Sequence, residues 1–194
     1  MPRYKVIDAV LRPLSEKPIQ AFFGEGLHTL GLLGWILGQT GKACVWVSSY
    51  STSEAFLNGF CVLRRKGLVS GSLLLLDLRA ARKTLRLERL MDGAFEHVFL
   101  GQNHSKVVLV SNGSIFVSVV TSQNQTYGDR AESTIITTDK GVFDVLLGQF
   151  ETLCGEEAVE IDLHNGKGII TAGGGTGEAA ADAGTDIRPF GIEW

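Results

Sequence analysis

Short continuous apolar runs alternate along this chain with segments whose apolar positions recur every three or four residues. That alternation predicts strands interleaved with helices. Residues 27–37 (LHTLGLLGWIL) read as a buried helix closing near Gly38 or Gly41, its glycines permitting close packing at a cost in helix propensity. Residues 42–49, with Cys44-Val45-Trp46-Val47 at their centre, are β-branched and aromatic and predict a strand. Ser51-Thr52-Ser53-Glu54 has the spacing of a capping box, Ser51 as N-cap and Glu54 three residues on. The helix behind it carries Phe56, Phe60 and Leu63 and closes at Gly67. Ser72-Leu73-Leu74-Leu75-Leu76-Asp77 is uninterrupted, as in a strand covered on both faces.

Further on, residues 96–100 predict a short strand in which His97 is structural. Two apolar runs, 107–110 and 115–120, flank Ser111-Asn112-Gly113-Ser114, and Asn-Gly between apolar runs predicts an antiparallel hairpin. Residues 131–138 read as another strand. Asp139 is placed to cap a helix carrying Phe143, Leu146, Leu147, Phe150 and Leu153 and ending at Gly155. Residues 159–163 make a last strand at a sheet edge, with His164 on the surface beyond it. The repeated helix–strand order favours parallel pairing through helical crossovers. The expected fold is therefore α/β, a mixed and largely parallel central sheet with helices on both faces.

The chain's ends look different. Residues 1–24, with three prolines, read as an extended arm. From Gly166 the composition turns to glycine, alanine and aspartate and cannot bury enough apolar area to fix the backbone. The division expected is a domain over 1–165 and a flexible acidic tail over 166–194. The cluster Gly173-Gly174-Gly175-Thr176-Gly177 lacks the Lys-Ser/Thr ending of a phosphate-binding P-loop, so linker fits it better. Residues 187–194 regain apolar anchors suited to docking on this protein or on a protein partner.

Composition narrows the function classes. Three cysteines in mostly apolar surroundings suggest buried thiols in a reducing compartment. No Cys-x-x-Cys or His-Glu-x-x-His pairing supports a metal site, and no cofactor is expected. Met1-Pro2-Arg3-Tyr4-Lys5 lacks a signal peptide's apolar core, and residues 27–37 are too few to span a bilayer, so a cytoplasmic protein without membrane contact is expected. The net charge of −3 divides unevenly, with eleven acids against three basic residues from Asp139 onward and ten against fifteen before it. A mildly basic body permits an anionic substrate.

Candidate chemistry gathers at His104-Ser105-Lys106. At the entry of a strand, residues two apart face the same way, so imidazole and ammonium would project side by side. Asn124 returns to the same end after the hairpin as a neutral donor. The alternative for such a pair is a half-exposed strand histidine beside a solvated lysine. Arg79, Arg82, Lys83, Arg86 and Arg89 fall at helical steps and would form one basic stripe, either a solvated helix face or a surface that tracks phosphates.

Taken together, the serine-rich strand end Ser48-Ser49-Tyr50-Ser51, the leucine strand, His104-x-Lys106, the hairpin, Ser122-x-Asn124 and Glu132 resemble the phospholipase D superfamily over residues 42–153. The resemblance implies an α-β-α sandwich in which His104 is the nucleophile and Lys106 and Asn124 hold the phosphate. Ser122 adds a hydroxyl or holds the loop, and Glu132 orients the imidazole. Two positions depart from the family pattern: Ser111 replaces an aspartate and Thr121 a glycine. One motif copy implies a homodimer that pools two histidines. The function it implies is a metal-independent phosphodiesterase with a phosphohistidine intermediate, a DNA endonuclease whose phosphate-tracking residues are Arg79, Arg82, Lys83 and Arg86. The alternatives are a catalytically impaired relative serving dimerisation or nucleic-acid binding and, last, a lipid phosphodiesterase.

Overall fold

The computed structural model describes residues 4–80, 85–125, 130–161, 163 and 170–171. Within them, nine strands form one mixed sheet in the order β1-β7-β6-β5-β2-β3-β4-β8-β9. The strands are β1 Ile19–Gly24, β2 Ala43–Ser49, β3 Val69–Asp77, β4 His97–Gly101, β5 Val107–Ser111, β6 Phe116–Thr121, β7 Glu132–Thr137, β8 Val159–Ile161 and β9 Ile170–Thr171. Only β2/β3 and β3/β4 pair in parallel, and every other neighbouring pair is antiparallel. The expectation of a largely parallel sheet is corrected on this point. Helical crossovers do join β2, β3 and β4, but hairpins and returns build the remainder, and antiparallel neighbours need no crossover.

Helices α1 Tyr4–Val10, α2 Thr29–Thr40, α3 Glu54–Arg65 and α4 Glu88–Ala94 cover one face, and α5 Lys140–Thr152 covers the other. The larger cluster packs Leu32, Leu33, Ile36 and Leu37 of α2 and Phe56, Leu57, Phe60 and Leu63 of α3 against Val45, Val47, Leu74, Leu76, Val108 and Val110. The smaller one sets Phe143 and Phe150 of α5 on Trp46, Leu73, Leu75, Phe99 and Leu109. Alternate residues at the centres of β2, β3 and β5 thus face opposite clusters, which is why those stretches are apolar without a break. Each fully buried leucine or phenylalanine contributes about 1.5–3 kcal/mol.

Helix ends follow local chemistry. The Asp139 carboxylate accepts the Val142 amide at 2.9 Å, and the Ser53 hydroxyl accepts the Phe56 amide at 3.3 Å. The cap of α3 is thus Ser53, two residues later than the capping-box spacing suggests, because Ser51 is still engaged at the strand end, its carbonyl accepting from the Ser49 hydroxyl. Gly67, at φ 70°, turns the chain out of α3, and Gly113, at φ 86°, turns the β5–β6 hairpin.

Four further expectations change. The N-terminal region is not an extended arm: α1 packs on the larger cluster through Ile7, and β1 pairs with β7 along its whole length. The basic residues do not share one helix, because 3₁₀ turns at Leu78–Ala80 and Leu85–Leu87 precede α4; Arg82 and Lys83 lie outside the described residues. The turn at Leu153–Glu157 is a π-helical continuation of α5, extending it past the expected end at Gly155. Finally, β8 is not an edge, since β9 pairs with it from within the region read as tail. His164 lies outside the described residues. No helix among the described residues is long and apolar enough to cross a membrane.

Candidate functional site

The carboxyl ends of β2, β3 and β4 point the same way, and because β5 and β7 run opposite to them, these two begin where those end. In open α/β sheets the crevice beyond those ends is where ligands bind. His104, Lys106, Ser122, Asn124 and Glu132 lie at this end.

His104 and Lys106 sit in the irregular segment between β4 and β5, one step before the strand in which they were expected. They meet nevertheless. The Lys106 ammonium lies 3.1 Å from His104 Nδ1 and donates to the His104 carbonyl at 2.7 Å. The His104 ring is exposed, with the Tyr50 ring tilted against it at a centroid distance of 5.3 Å.

Between these two residues, and just before them, the chain is tied down. Asn103 is 4% exposed. Its amide donates to Ser48 Oγ at 2.9 Å and to the carbonyls of Ser49 and Leu75 at 3.2 Å each. Its oxygen accepts from the Ser105 amide at 3.0 Å and the Ser105 hydroxyl at 2.6 Å. Ser48 and Ser105 share a hydrogen bond at 2.5 Å. The Asn103 backbone amide donates to the Asp77 carboxylate at 2.9 Å, whose other oxygen accepts the Arg79 amide at 2.7 Å. One buried side chain therefore fastens the His-x-Lys segment to the ends of β2 and β3. A buried amide with all its groups paired holds a unique loop geometry, because any displacement strands several partners at once.

The second segment follows β6. Thr121 N donates to the Lys106 carbonyl at 3.0 Å, extending the β5–β6 ladder and placing Ser122-x-Asn124 beside His-x-Lys. Ser122 and Glu132 are hydrogen-bonded to each other, and the same hydroxyl accepts from Ser133 N at 3.0 Å. The Ser122 hydroxyl is thus engaged in hydrogen bonds between this loop and β7. Among the described residues none joins Glu132 to His104; the imidazole Nδ1 faces an ammonium instead of a carboxylate. Gln123 turns inward, its oxygen accepting from the Thr29 amide and hydroxyl at 2.8 Å each, which anchors the loop to the start of α2. His28 is half-buried and occupies the N-cap position of α2, where its side chain makes no capping bond.

Asn124 is different from its neighbours. Among the described residues its amide oxygen is buried without a hydrogen-bond partner, as are both polar atoms of the Gln125 side chain and the Thr52 hydroxyl. Thr52 and Gln125 are themselves bridged through their backbones. Buried polar groups are rarely left unpaired, and orphans gathered at one place are a common mark of a ligand site.

The two departures from the family pattern have local explanations. The Thr121 hydroxyl, standing where a glycine is the rule, bonds to the Ser133 carbonyl at 3.0 Å and the Thr134 hydroxyl at 2.9 Å, tying β6 to β7. The Ser111 hydroxyl accepts the Gly113 amide at 3.0 Å and closes the hairpin. Both side chains support the backbone.

Arg79 leaves β3 at the site end and is exposed, and Arg86 is exposed in its 3₁₀ turn. Among the described residues no group of three or more histidine, cysteine, aspartate or glutamate side chains is placed to hold a metal. Asn103, Ser105, Ser48 and Asp77 are the residues that sequence reasoning left without a role. The serine-rich end of β2 was the available signal.

No family model and no curated protein matches the sequence. Solved structures do match in fold. Polyphosphate kinase from Porphyromonas gingivalis superposes with a TM-score of 0.57 at 12% identity, over 77% of this chain and 28% of that one. Phosphatidylserine synthase from Haemophilus influenzae Rd KW20 gives 0.54 at 11% identity, over 74% of this chain and 40% of that one. Both neighbours have phospholipase D superfamily folds, so the α-β-α sandwich implied by the resemblance is the fold observed. The chain spans well under half the length of either neighbour.

Proposed function

We propose that this chain is a phosphoryl-transfer module of phospholipase D type, and specifically a metal-independent phosphodiesterase that cleaves DNA as a homodimer. The observation that carries the reading is the His104–Lys106 pair, imidazole and ammonium 3.1 Å apart, on a loop locked by Asn103.

The chemistry follows from the residue types. A bare nitrogen of neutral His104 bonds to phosphorus while the bond to the leaving oxygen breaks, dividing one displacement into two. The leaving oxygen takes a proton from the protonated His104 of the partner subunit. Water then attacks phosphorus, the N–P bond breaks, and the water's proton passes to the imidazole that gave one up. Lys106 and Asn124 bind the non-bridging oxygens, and each fixed donor of this kind contributes about 3–4 kcal/mol to the transition state. Substrate entry displaces Lys106 from Nδ1 toward the phosphate and frees the ring. Arg79, Arg86 and the basic body, with Arg82 and Lys83 between them in sequence, favour a nucleic-acid backbone over a lipid.

A second reading is favoured by the Ser122–Glu132 bond. With its carboxylate committed there and Ser111 in the aspartate position, the chain would be a catalytically impaired module for dimerisation or nucleic-acid binding. One experiment separates the two. Purified protein is incubated in excess EDTA with plasmid DNA, a bis-aryl phosphodiester and phospholipid, beside His104→Ala. EDTA-resistant DNA cleavage lost in the variant, with a DNA fragment trapped on His104 through an acid-labile N–P bond, is expected. Loss of turnover in EDTA overturns the metal-free mechanism, turnover confined to phospholipid overturns the substrate, and DNA binding without turnover supports the second reading.

A further inference from the structure

The two edges of the sheet are built differently. β9 is two residues long and β1 is six. Proteins normally blunt an exposed edge with charge, proline, a bulge or brevity. β1 (IQAFFG) contains neither charge nor proline and pairs with β7 in unbroken register.

Its phase can be fixed. The Pro18 carbonyl accepts from Thr138 N at 2.9 Å, so the backbone groups of Gln20, Phe22 and Gly24 face β7. Those of Ile19, Ala21 and Phe23 then face outward, free of the ladder. The same three residues place their side chains on the sheet face away from the larger cluster, where Ile19 is 63% and Phe23 81% exposed. Gln20 and Phe22 turn the other way. Gln20 is buried, and its amide bonds to Arg12 N at 2.7 Å, the Arg12 carbonyl at 2.8 Å and the Lys17 carbonyl at 2.9 Å. The strand is thus held firmly on one side and, among the described residues, bare on the other.

We infer that β1 is a docking edge for β1 of a second copy of this chain. An antiparallel strand pair has a two-fold axis, so one strand can pair with itself and close the assembly. With the axis through Ala21, Ala21 meets its own copy and Ile19 lies opposite the partner's Phe23, twice over. Those are the outward-facing positions, so about six backbone hydrogen bonds form without a shift of register. Two aromatic–β-branched pairs form on the face where those side chains are now exposed. No charge within the strand opposes the contact. A single strand pair buries several hundred Å² per copy, below the ~1,200–2,000 Å² total of stable complexes, so the association is weak and concentration-dependent.

This contact is not the one that would bring two histidines together. β5 lies three strands in from β1. At about 4.8 Å per strand the two His104 loops would stand roughly 30 Å apart. The inference is therefore independent of the proposed function. A chain with both contacts would form a closed tetramer or an open filament.

Sedimentation velocity from low to high micromolar protein tests it, with hydrogen exchange at both ends of the range. The weight-average mass is expected to rise with concentration, and the amides of Ile19, Ala21 and Phe23 to gain protection as it does. Phe23→Lys should weaken association by about tenfold or more by setting charge on the edge. Ala21→Pro should do the same without charge; its N–H faces outward, so the β7 ladder and the Gln20 bonds survive. Activity at His104 should be unchanged in both. A mass independent of concentration, or unaffected by both variants, overturns the proposal. So does protection of those three amides at the lowest concentration, which would mean that the chain's own terminal residues occupy the edge.

Discussion

The two halves of the sheet solve the burial problem in opposite ways. In β2-β3-β4 both faces are covered, and every residue of β2 is buried. In β6-β7-β1 one face packs on the helices through Val117, Val119 and Ile136, while the other, beyond Phe116 under α5, leaves Val120, Ile135, Ile19 and Phe23 exposed. The difference explains how the candidate site is held. The His-x-Lys loop is fastened to the covered half through Asn103, Ser48 and Asp77. The Ser-x-Asn loop is fastened on both sides, by Ser122 to Glu132 and Thr121 to Thr134 in the open half and by Gln123 to Thr29 and Gln125 to Ser49 on the covered one. The His-x-Lys loop thus depends on the covered half, and the Ser-x-Asn loop on both halves.

Substitutions can break or sharpen that contrast. The largest effect is expected from Leu74→Ala, which opens a cavity between β3 and the helices and should cost about 3–4 kcal/mol in urea unfolding. Asn103→Ala should cost about 2–3 kcal/mol, because it leaves buried partners unpaired, and should lower turnover more than substrate affinity, since it frees the His-x-Lys loop. If the two loops have equal support, this variant and Ser122→Ala will cost the same, and the contrast fails.

A smaller, pH-dependent effect belongs to Cys154, under α5. Burial, then the nearby carboxylates of Glu151 and Glu160, push its thiol up to about 12 from 9.0. A folded-state value raised above the unfolded one gives stability that is complete below pH 9 and fades as pH climbs toward 12. Cys154→Val should therefore lose less stability than wild type over that window, measured as the difference between their urea midpoints. The smallest effect is expected at Ile135→Thr on the open face, under about 0.5 kcal/mol. A cost like that of Leu74→Ala would mean that this face is covered in solution.

Much of this was legible in the chain itself. Unbroken apolar runs identified β2 and β3 because both their faces are buried; Asn112-Gly113 marked the hairpin because only certain residues accept its backbone angles. Asp139 announced α5 by its side-chain cap. The basic stripe misled, since helical spacing is equally compatible with the broken turns found at Leu78–Ala80 and Leu85–Leu87. Strand direction misled as well. Periodicity reports which faces are buried and is silent on which neighbour lies alongside, so an α/β order suggested more parallel pairing than the sheet contains.

The residue types at the site, a histidine two positions from a lysine and an asparagine beyond a hairpin, were fixed by the sequence, because chemistry resides in side chains. Their meeting was decided elsewhere. It depends on strands distant in the chain ending at one edge of the fold, on Asn103 reaching across to Ser49 and Leu75, and on Glu132 pairing with Ser122. Such contacts exist only after the chain has closed on itself, since their partners lie too far apart in sequence for any local pattern to register them.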